Sequence, residues 1–139
     1  MILLDTSGLF AALVRNQRSH SAARAALEAA EPPYVLSPLV LAELDYFFAR
    51  EAGVEHELAF LDEVVSGAYD LVPFLADDVA AAAGVIERYR DLRIGLADAS
   101  IVVLAERFQT DRVLTLDERH FRALRTAAGE PFTLLPADA

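Results

Sequence analysis

The chain contains no cysteine, which excludes disulfide scaffolds, zinc-thiolate sites and thiol nucleophiles and is compatible with a reducing compartment. It contains no lysine either, since all 12 basic residues are arginines. That absence removes Walker-type phosphate loops, Schiff-base chemistry and serine-lysine dyads, each of which needs an ε-amino group. Tryptophan is missing as well. Positive charge is scarce: 22 acidic residues face 12 basic ones, for a formal charge of −10. This argues against a groove that binds nucleic acid by bulk positive potential, so any nucleic-acid chemistry has to be local. Long hydrophobic runs are absent too. The longest uncharged stretch, Pro32 to Ala42, falls short of the roughly 18 to 20 residues that span a bilayer. Asp5 interrupts the first apolar run and no basic leader precedes it, so the amino terminus does not read as a signal peptide. The expected location is the cytoplasm.

What is present is an apolar chain of 139 residues, 55% of them hydrophobic, enough for one core and too few for two. Met1 to Leu4 reads as a buried strand, ended by a turn at Asp5-Thr6-Ser7-Gly8, with a helix from Leu9 to Val14. Ser19 to Ala30 reads as a second helix, stopped by Pro32-Pro33, and Tyr34 to Leu36 as a second strand. Ser37-Pro38 is a helix start, because serine caps and proline suits the first helical position; this helix runs toward Gly53. Val54 to Ser66 has helical spacing and Leu71 to Pro73 is briefly extended. Asp77-Asp78 opens a helix over Val79 to Tyr89, and Leu96 to Phe108 is a strongly apolar helix. Strands follow at Arg112 to Leu116 and at Phe132 to Leu135. Short apolar strands alternating with helices predict a single three-layer α/β/α domain, with a parallel sheet of about five strands covered on both faces.

Four acids stand where a fold does best without them. Asp98 has Ile94, Ile101 and Val102 as its helical neighbours, an apolar stripe on which a lone charge is costly to bury without a partner. It needs a cation, unless the helix dipole and first-turn amides suffice. Glu43 lies among Leu39, Val40, Tyr46 and Phe47, while Asp45 lies among Leu41, Ala42, Phe48 and Ala49. That helix is apolar nearly all round, so periodicity does not choose between the two acids. Asp5 and Asp117 each follow a strand directly, and in open parallel sheets the crevice beyond the carboxyl ends of the strands carries function. Taken singly, such loop aspartates are usually turn or cap formers. If all four converge, they form an oxygen-only ligand set.

Hard oxygen ligation suits Mg²⁺, or Mn²⁺, rather than zinc. Crowded carboxylates repel and raise one another's proton affinity, a conflict that a divalent cation removes. One or two such ions lower the proton affinity of a bound water and shield the charge that develops on a phosphodiester. The chemistry expected is metal-assisted phosphodiester hydrolysis.

Four segments together resemble the PIN-domain ribonucleases, specifically the VapC toxins of toxin–antitoxin pairs. They are Ile2-Leu-Leu-Asp5-Thr6-Ser7, Ser37-Pro38 leading to Glu43, Leu96-Ala-Asp98-Ala-Ser100, and Leu114-Thr-Leu-Asp117 followed by Phe121. None is specific alone, but their order and spacing across nearly the whole chain are. The resemblance implies that Asp5, Glu43, Asp98 and Asp117 form the catalytic, metal-binding quartet, with Asp5 and Asp98 as direct ligands, and it selects Glu43 over Asp45. It also implies that Thr6, Ser7 and Thr115 steady those carboxylates. It further implies an RNA substrate, a VapB-like antitoxin, and assembly as a homodimer or as a toxin–antitoxin hetero-oligomer.

Arg119, Arg122 and Arg125 follow Asp117 at a spacing that aligns them on one face if the segment is helical. Together with Arg93, Arg119 and Arg122 are candidates for holding substrate phosphates, the alternative being surface ion pairs. His120 reads as a surface or packing residue. The apolar density between Leu39 and Leu61 exceeds what one small core needs and offers a surface for a partner helix.

Three other readings compete. A phospho-receiver domain requires a lysine beside its acids, and a haloacid dehalogenase phosphatase requires aspartate at the position of Ser7 and a later lysine; this chain has neither. A PIN relative that binds RNA or acts as a scaffold without cleaving it keeps the fold, but such a relative usually loses one of the four acids.

Overall fold

The computed structural model describes residues 1–139. Five strands, β1 (Ile2–Leu4), β2 (Tyr34–Leu36), β3 (Asp70–Leu71), β4 (Arg112–Leu114) and β5 (Thr133–Leu135), form one sheet in the order β3-β2-β1-β4-β5. Every pairing is parallel. The seven helices are α1 (Thr6–Leu13), α2 (His20–Ala29), α3 (Pro38–Phe47), α4 (Val54–Val65), α5 (Ala76–Arg88), α6 (Leu96–Phe108) and α7 (Glu118–Phe121). The three-layer α/β/α architecture is as expected, and no helix is long and apolar enough to cross a membrane.

The chain first builds the sheet outward from β1 through β2 to β3, then returns to the other side of β1 for β4 and β5. The direction of winding therefore switches between β1 and β4, and the crevice outside the carboxyl ends of those two strands is where such sheets bind ligands. Leu4 pairs with Leu114 at the last rung, so Asp5 and Thr115 leave the sheet side by side. All three residues of β1 are buried, as a strand covered on both faces requires.

Several boundaries differ from the sequence reading. No turn separates β1 from its helix: Asp5 keeps extended dihedrals as the N-cap, and α1 begins at Thr6. β4 ends at Leu114 rather than Leu116, because Thr115 and Asp117 turn to bond one another across the strand end. The helix begun by Pro38 is capped as expected, Ser37 Oγ accepting from the Leu39 amide. Beyond Phe47 it widens into a π turn over Phe48–Ala52, and Gly53, at φ +89°, provides the left-handed step into α4.

Aromatic rings tie this region to the core. Phe48 meets Phe10 edge-on with centroids 5.2 Å apart and stacks on Phe60 at 4.7 Å. Part of the apolar density between Leu39 and Leu61 is thus core, whereas Tyr46, Val54 and Leu58 stay exposed.

α1 lies close against β4 at Gly8, where a Cβ would stand 2.3 Å from the Leu114 carbonyl oxygen. Backbone does not yield as a flexible side chain does. Gly8→Ala is expected to push α1 off the sheet and to destabilise the protein by about 3 kcal/mol or more, read as a fall in the urea midpoint.

Candidate metal centre and active site

One cavity of about 540 Å³ opens at the switch between β1 and β4. Asp5, Glu43, Asp98 and Asp117 all line it, together with Thr6, Ser7 and His120. Each arrives by a different route. Asp5 is the residue between β1 and α1; Glu43 stands midway along α3; Asp98 sits in the first turn of α6; Asp117 caps α7, accepting from the His120 amide at 3.1 Å. Asp45 is not in the cavity. It faces Glu57 of α4, whose carboxyl it holds above its ordinary proton affinity.

Hydroxyl groups fix three of these positions. Thr115 Oγ1 donates to Asp5 Oδ2 at 2.6 Å and Ser7 Oγ donates to the same oxygen at 3.0 Å. Thr115 Oγ1 also accepts from the Asp117 amide, and Ser7 Oγ accepts from the Leu116 amide, so the start of α1 and the loop after β4 are locked together. Thr6 Oγ1 donates to Glu43 Oε1 at 2.6 Å. This bond distinguishes Glu43 from Asp45, which the helical pattern does not.

A further pair of hydroxyls sets the spacing of the helices behind the site. Ser100 Oγ donates to the Ala97 carbonyl at 2.6 Å and lies 2.8 Å from Ser37 Oγ, itself the acceptor for the Leu39 amide. Both serines are buried. They join the N-cap of the helix bearing Glu43 to the first turn of the helix bearing Asp98. Ser100→Ala leaves the Ser37 hydroxyl without its acceptor and is expected to destabilise by about 1–3 kcal/mol, measured by urea denaturation.

His120 lies in the cavity rather than at the surface or in packing. Its Nδ1 is 2.9 Å from Asp117 Oδ2 and 3.5 Å from Asp98 Oδ2. Asp98, Asp117 and His120 offer ligand atoms all within 4.8 Å of one another, while Asp5 and Glu43 line the same cavity outside that close group. The signal in the sequence was Asp117 and His120 three apart, the span of an aspartate cap and the residue whose amide it accepts.

The electrostatics follow from this crowding. Burial foremost, then the charges of Asp5, Asp117 and Glu43, push the Asp98 carboxyl up to about 7, with only His120 acting against them. Asp5 is raised as well, mainly by burial, against the opposing pull of its bonds from Thr115 and Ser7. No arginine lines the cavity. Arg122 is held by Glu118 at 2.9 Å and by Asp138 at 2.7 Å, Arg93 is exposed in a left-handed turn, and Arg119 is exposed on α7. The expected shared face of Arg119, Arg122 and Arg125 does not form, because α7 ends at Phe121.

A model of the PIN domain family matches residues 2–126. Ribonuclease VapC26 of Mycobacterium tuberculosis is 43% identical over 135 residues, covering 97% of this chain and all of that protein. The chain belongs to the VapC ribonuclease family of PIN-domain proteins. The crystal structure of Mycobacterium tuberculosis VapC20, a sarcin-ricin loop cleaving toxin, superposes with a TM-score of 0.78 at 20% identity, over 84% of this chain and 90% of that one. FitAB bound to a DNA fragment gives 0.67 at 21% identity, over 96% of this chain and 94% of that one. At those identities the likeness is one of fold.

Proposed function

We propose that the protein is a divalent-metal-dependent endoribonuclease, the toxin of a VapBC-type pair, in which Asp5, Glu43, Asp98 and Asp117 hold Mg²⁺ or Mn²⁺. The observation that carries this reading is four carboxylates in one cavity with no arginine among its lining residues. Such a donor set fits a hard dication: it is rich in oxygen, and it is destabilised as long as its charge is unbalanced. When bound, the metal supplies a more acidic water and neutralises charge on the phosphate.

The chain's own residues prepare the site for this. Thr115 and Ser7 hold Asp5 with one oxygen saturated by hydroxyls, and Thr6 fixes one oxygen of Glu43. Asp117 is anchored through both oxygens by the His120 amide and ring. These bonds orient the acids before any ligand arrives, which is the requirement for electrostatic preorganisation. RNA phosphates approach a cavity of strongly negative character, so substrate binding depends on the same cation.

The partner is a VapB-like antitoxin, for which exposed Tyr46, Val54 and Leu58 on α3 and α4 offer an apolar surface, with assembly as a homodimer or as a toxin–antitoxin complex. The setting is the cytoplasm, where the RNA is. The test is RNA cleavage by antitoxin-free protein in metal-defined buffer. Cleavage is expected to disappear with EDTA, to return with Mg²⁺ or Mn²⁺, and to be absent from Asp5→Asn at any metal concentration. Undiminished cutting in EDTA or by Asp5→Asn rejects the reading.

A further inference from the structure

Glu43, Phe47 and Glu51 lie four apart, and all three line the cavity. In a regular α-helix, residues eight apart are separated by roughly 80° around the axis, which carries the third off the shared wall. The π turn over Phe48–Ala52 rotates the chain less per residue and returns Glu51 to the same column. Gln17, on the segment after α1, lines the cavity too. Phe47 is 38% exposed. Its aromatic neighbours, Phe10 at 6.1 Å and Tyr46 at 5.9 Å, are tilted and edge-on, so neither takes the stacked position on its face. Phosphodiester hydrolysis requires none of these three side chains.

We propose that Phe47, Glu51 and Gln17 form a nucleobase subsite beside the acidic centre, and that it selects guanine. The proposal rests on the reading of this cavity as an RNA-cleaving centre. The volume, about 540 Å³, falls in the ~300–1,000 Å³ range of small-ligand sites, so a nucleotide with its phosphate at the acids has room to reach Phe47. Stacking on an aromatic ring accepts any base, so selection has to come from the base edge.

A carboxylate only accepts hydrogen bonds. Guanine is the base whose Watson–Crick edge presents two adjacent donors, N1–H and the N2 amino group, matched to the two oxygens of Glu51. Its O6 accepts from the amide N–H of Gln17. Adenine and cytosine set a ring-nitrogen acceptor beside their amino group, and uracil flanks its single N–H with two carbonyls; each directs a lone pair at a carboxylate. Glu51 has one ionic partner, Arg50 at 3.3 Å, with the two side chains 50% and 62% exposed. An exposed pair of this kind holds the carboxylate weakly and leaves it free to take a ligand.

Two experiments test the subsite. In the first, wild type, Glu51→Gln and Phe47→Leu digest a random-sequence RNA pool with Mg²⁺ and the fragment ends are sequenced. Guanine is expected at one fixed position relative to the cut. Glu51→Gln is expected to lower that preference about tenfold, and Phe47→Leu to raise KM several-fold more than it lowers kcat. In the second, the four nucleoside 5′-monophosphates are titrated calorimetrically into uncleaving mixtures of protein and Mg²⁺. Guanosine monophosphate is expected to bind at least about fivefold tighter than the other three, with Glu51→Gln removing the difference. Cuts without a fixed guanine, a preference untouched by Glu51→Gln, or equal binding of the four nucleotides overturns the proposal. Folded wild type that cuts no RNA yet binds guanosine monophosphate selectively overturns the cleavage reading and supports the subsite. Glu51 is exposed, so its variant folds even if that of Phe47 does not.

Discussion

Asp98→Asn is expected to abolish RNA cleavage and, in the same protein, to raise the melting temperature measured without metal. Both effects have one cause. The Asp98 side chain is only 19% exposed, and burial together with Asp5, Asp117 and Glu43 lifts its carboxyl to about 7. Ionising it without a bound cation costs stability; the distance from its ordinary value of 3.8 to about 7 sets an upper limit of about 4 kcal/mol. Asparagine keeps the shape and one acceptor oxygen while removing the charge. At pH 8 the metal-free variant should gain about 1–3 kcal/mol over wild type, several degrees in melting temperature. On the reading proposed above, the same change removes a charged metal ligand, and loss of the stabilisation that the metal would supply is expected to lower cleavage by about a thousandfold. Asp45→Asn is the control, an acid on the helix of Glu43 that faces α4 rather than the cavity; it should cleave like wild type. An Asp98→Asn protein that is less stable than wild type without metal, or that retains a tenth of the activity, contradicts the account.

The fold and the site were legible to different degrees, for physical reasons. Short buried strands announce themselves as runs such as Ile2 to Leu4, because both faces of a parallel strand are covered. Asp98 stood out because its neighbours on the helix are apolar, and Asp5 and Asp117 because strands end there. Glu43 was ambiguous against Asp45 because α3 is apolar nearly all round; the deciding contact, from Thr6, crosses from another helix and leaves no periodic trace. The π turn was illegible, since Phe48–Ala52 contains neither proline nor glycine to mark it, and with it went the placement of Phe47 and Glu51. The arginine spacing after Asp117 yields no shared face for a related reason. Three-residue spacing has meaning only while a helix lasts, and α7 stops after four residues, with Asp138, from the end of the chain, capturing Arg122.

The metal-free protein is expected to lose stability as pH rises from about 4 to about 7, and divalent cation to restore it most at the alkaline end. For Asp98 the folded-state proton affinity lies above the unfolded value of 3.8, at about 7. The folded chain therefore holds the extra proton throughout that window and gives it up at the top. Stability falls across the window and is flat above it. Asp5, buried and raised in the same sense, adds to the slope. Asp138 has the opposite sign, since Arg122 holds it down at about 2, but it acts below pH 4 and so leaves this window alone. On the proposed reading, saturating Mg²⁺ or Mn²⁺ binds the ionised acids. At a hundred times its dissociation constant it stabilises by about 2.7 kcal/mol at pH 8, and by less at pH 5, where it has to displace the proton from Asp98. Melting curves at pH 5 and 8, with EDTA and with metal, read all four corners, and Asp98→Asn should flatten the dependence in both directions. A metal-induced shift that is equal at the two pH values, or larger at pH 5, means that the ion does not compete with a proton for Asp98.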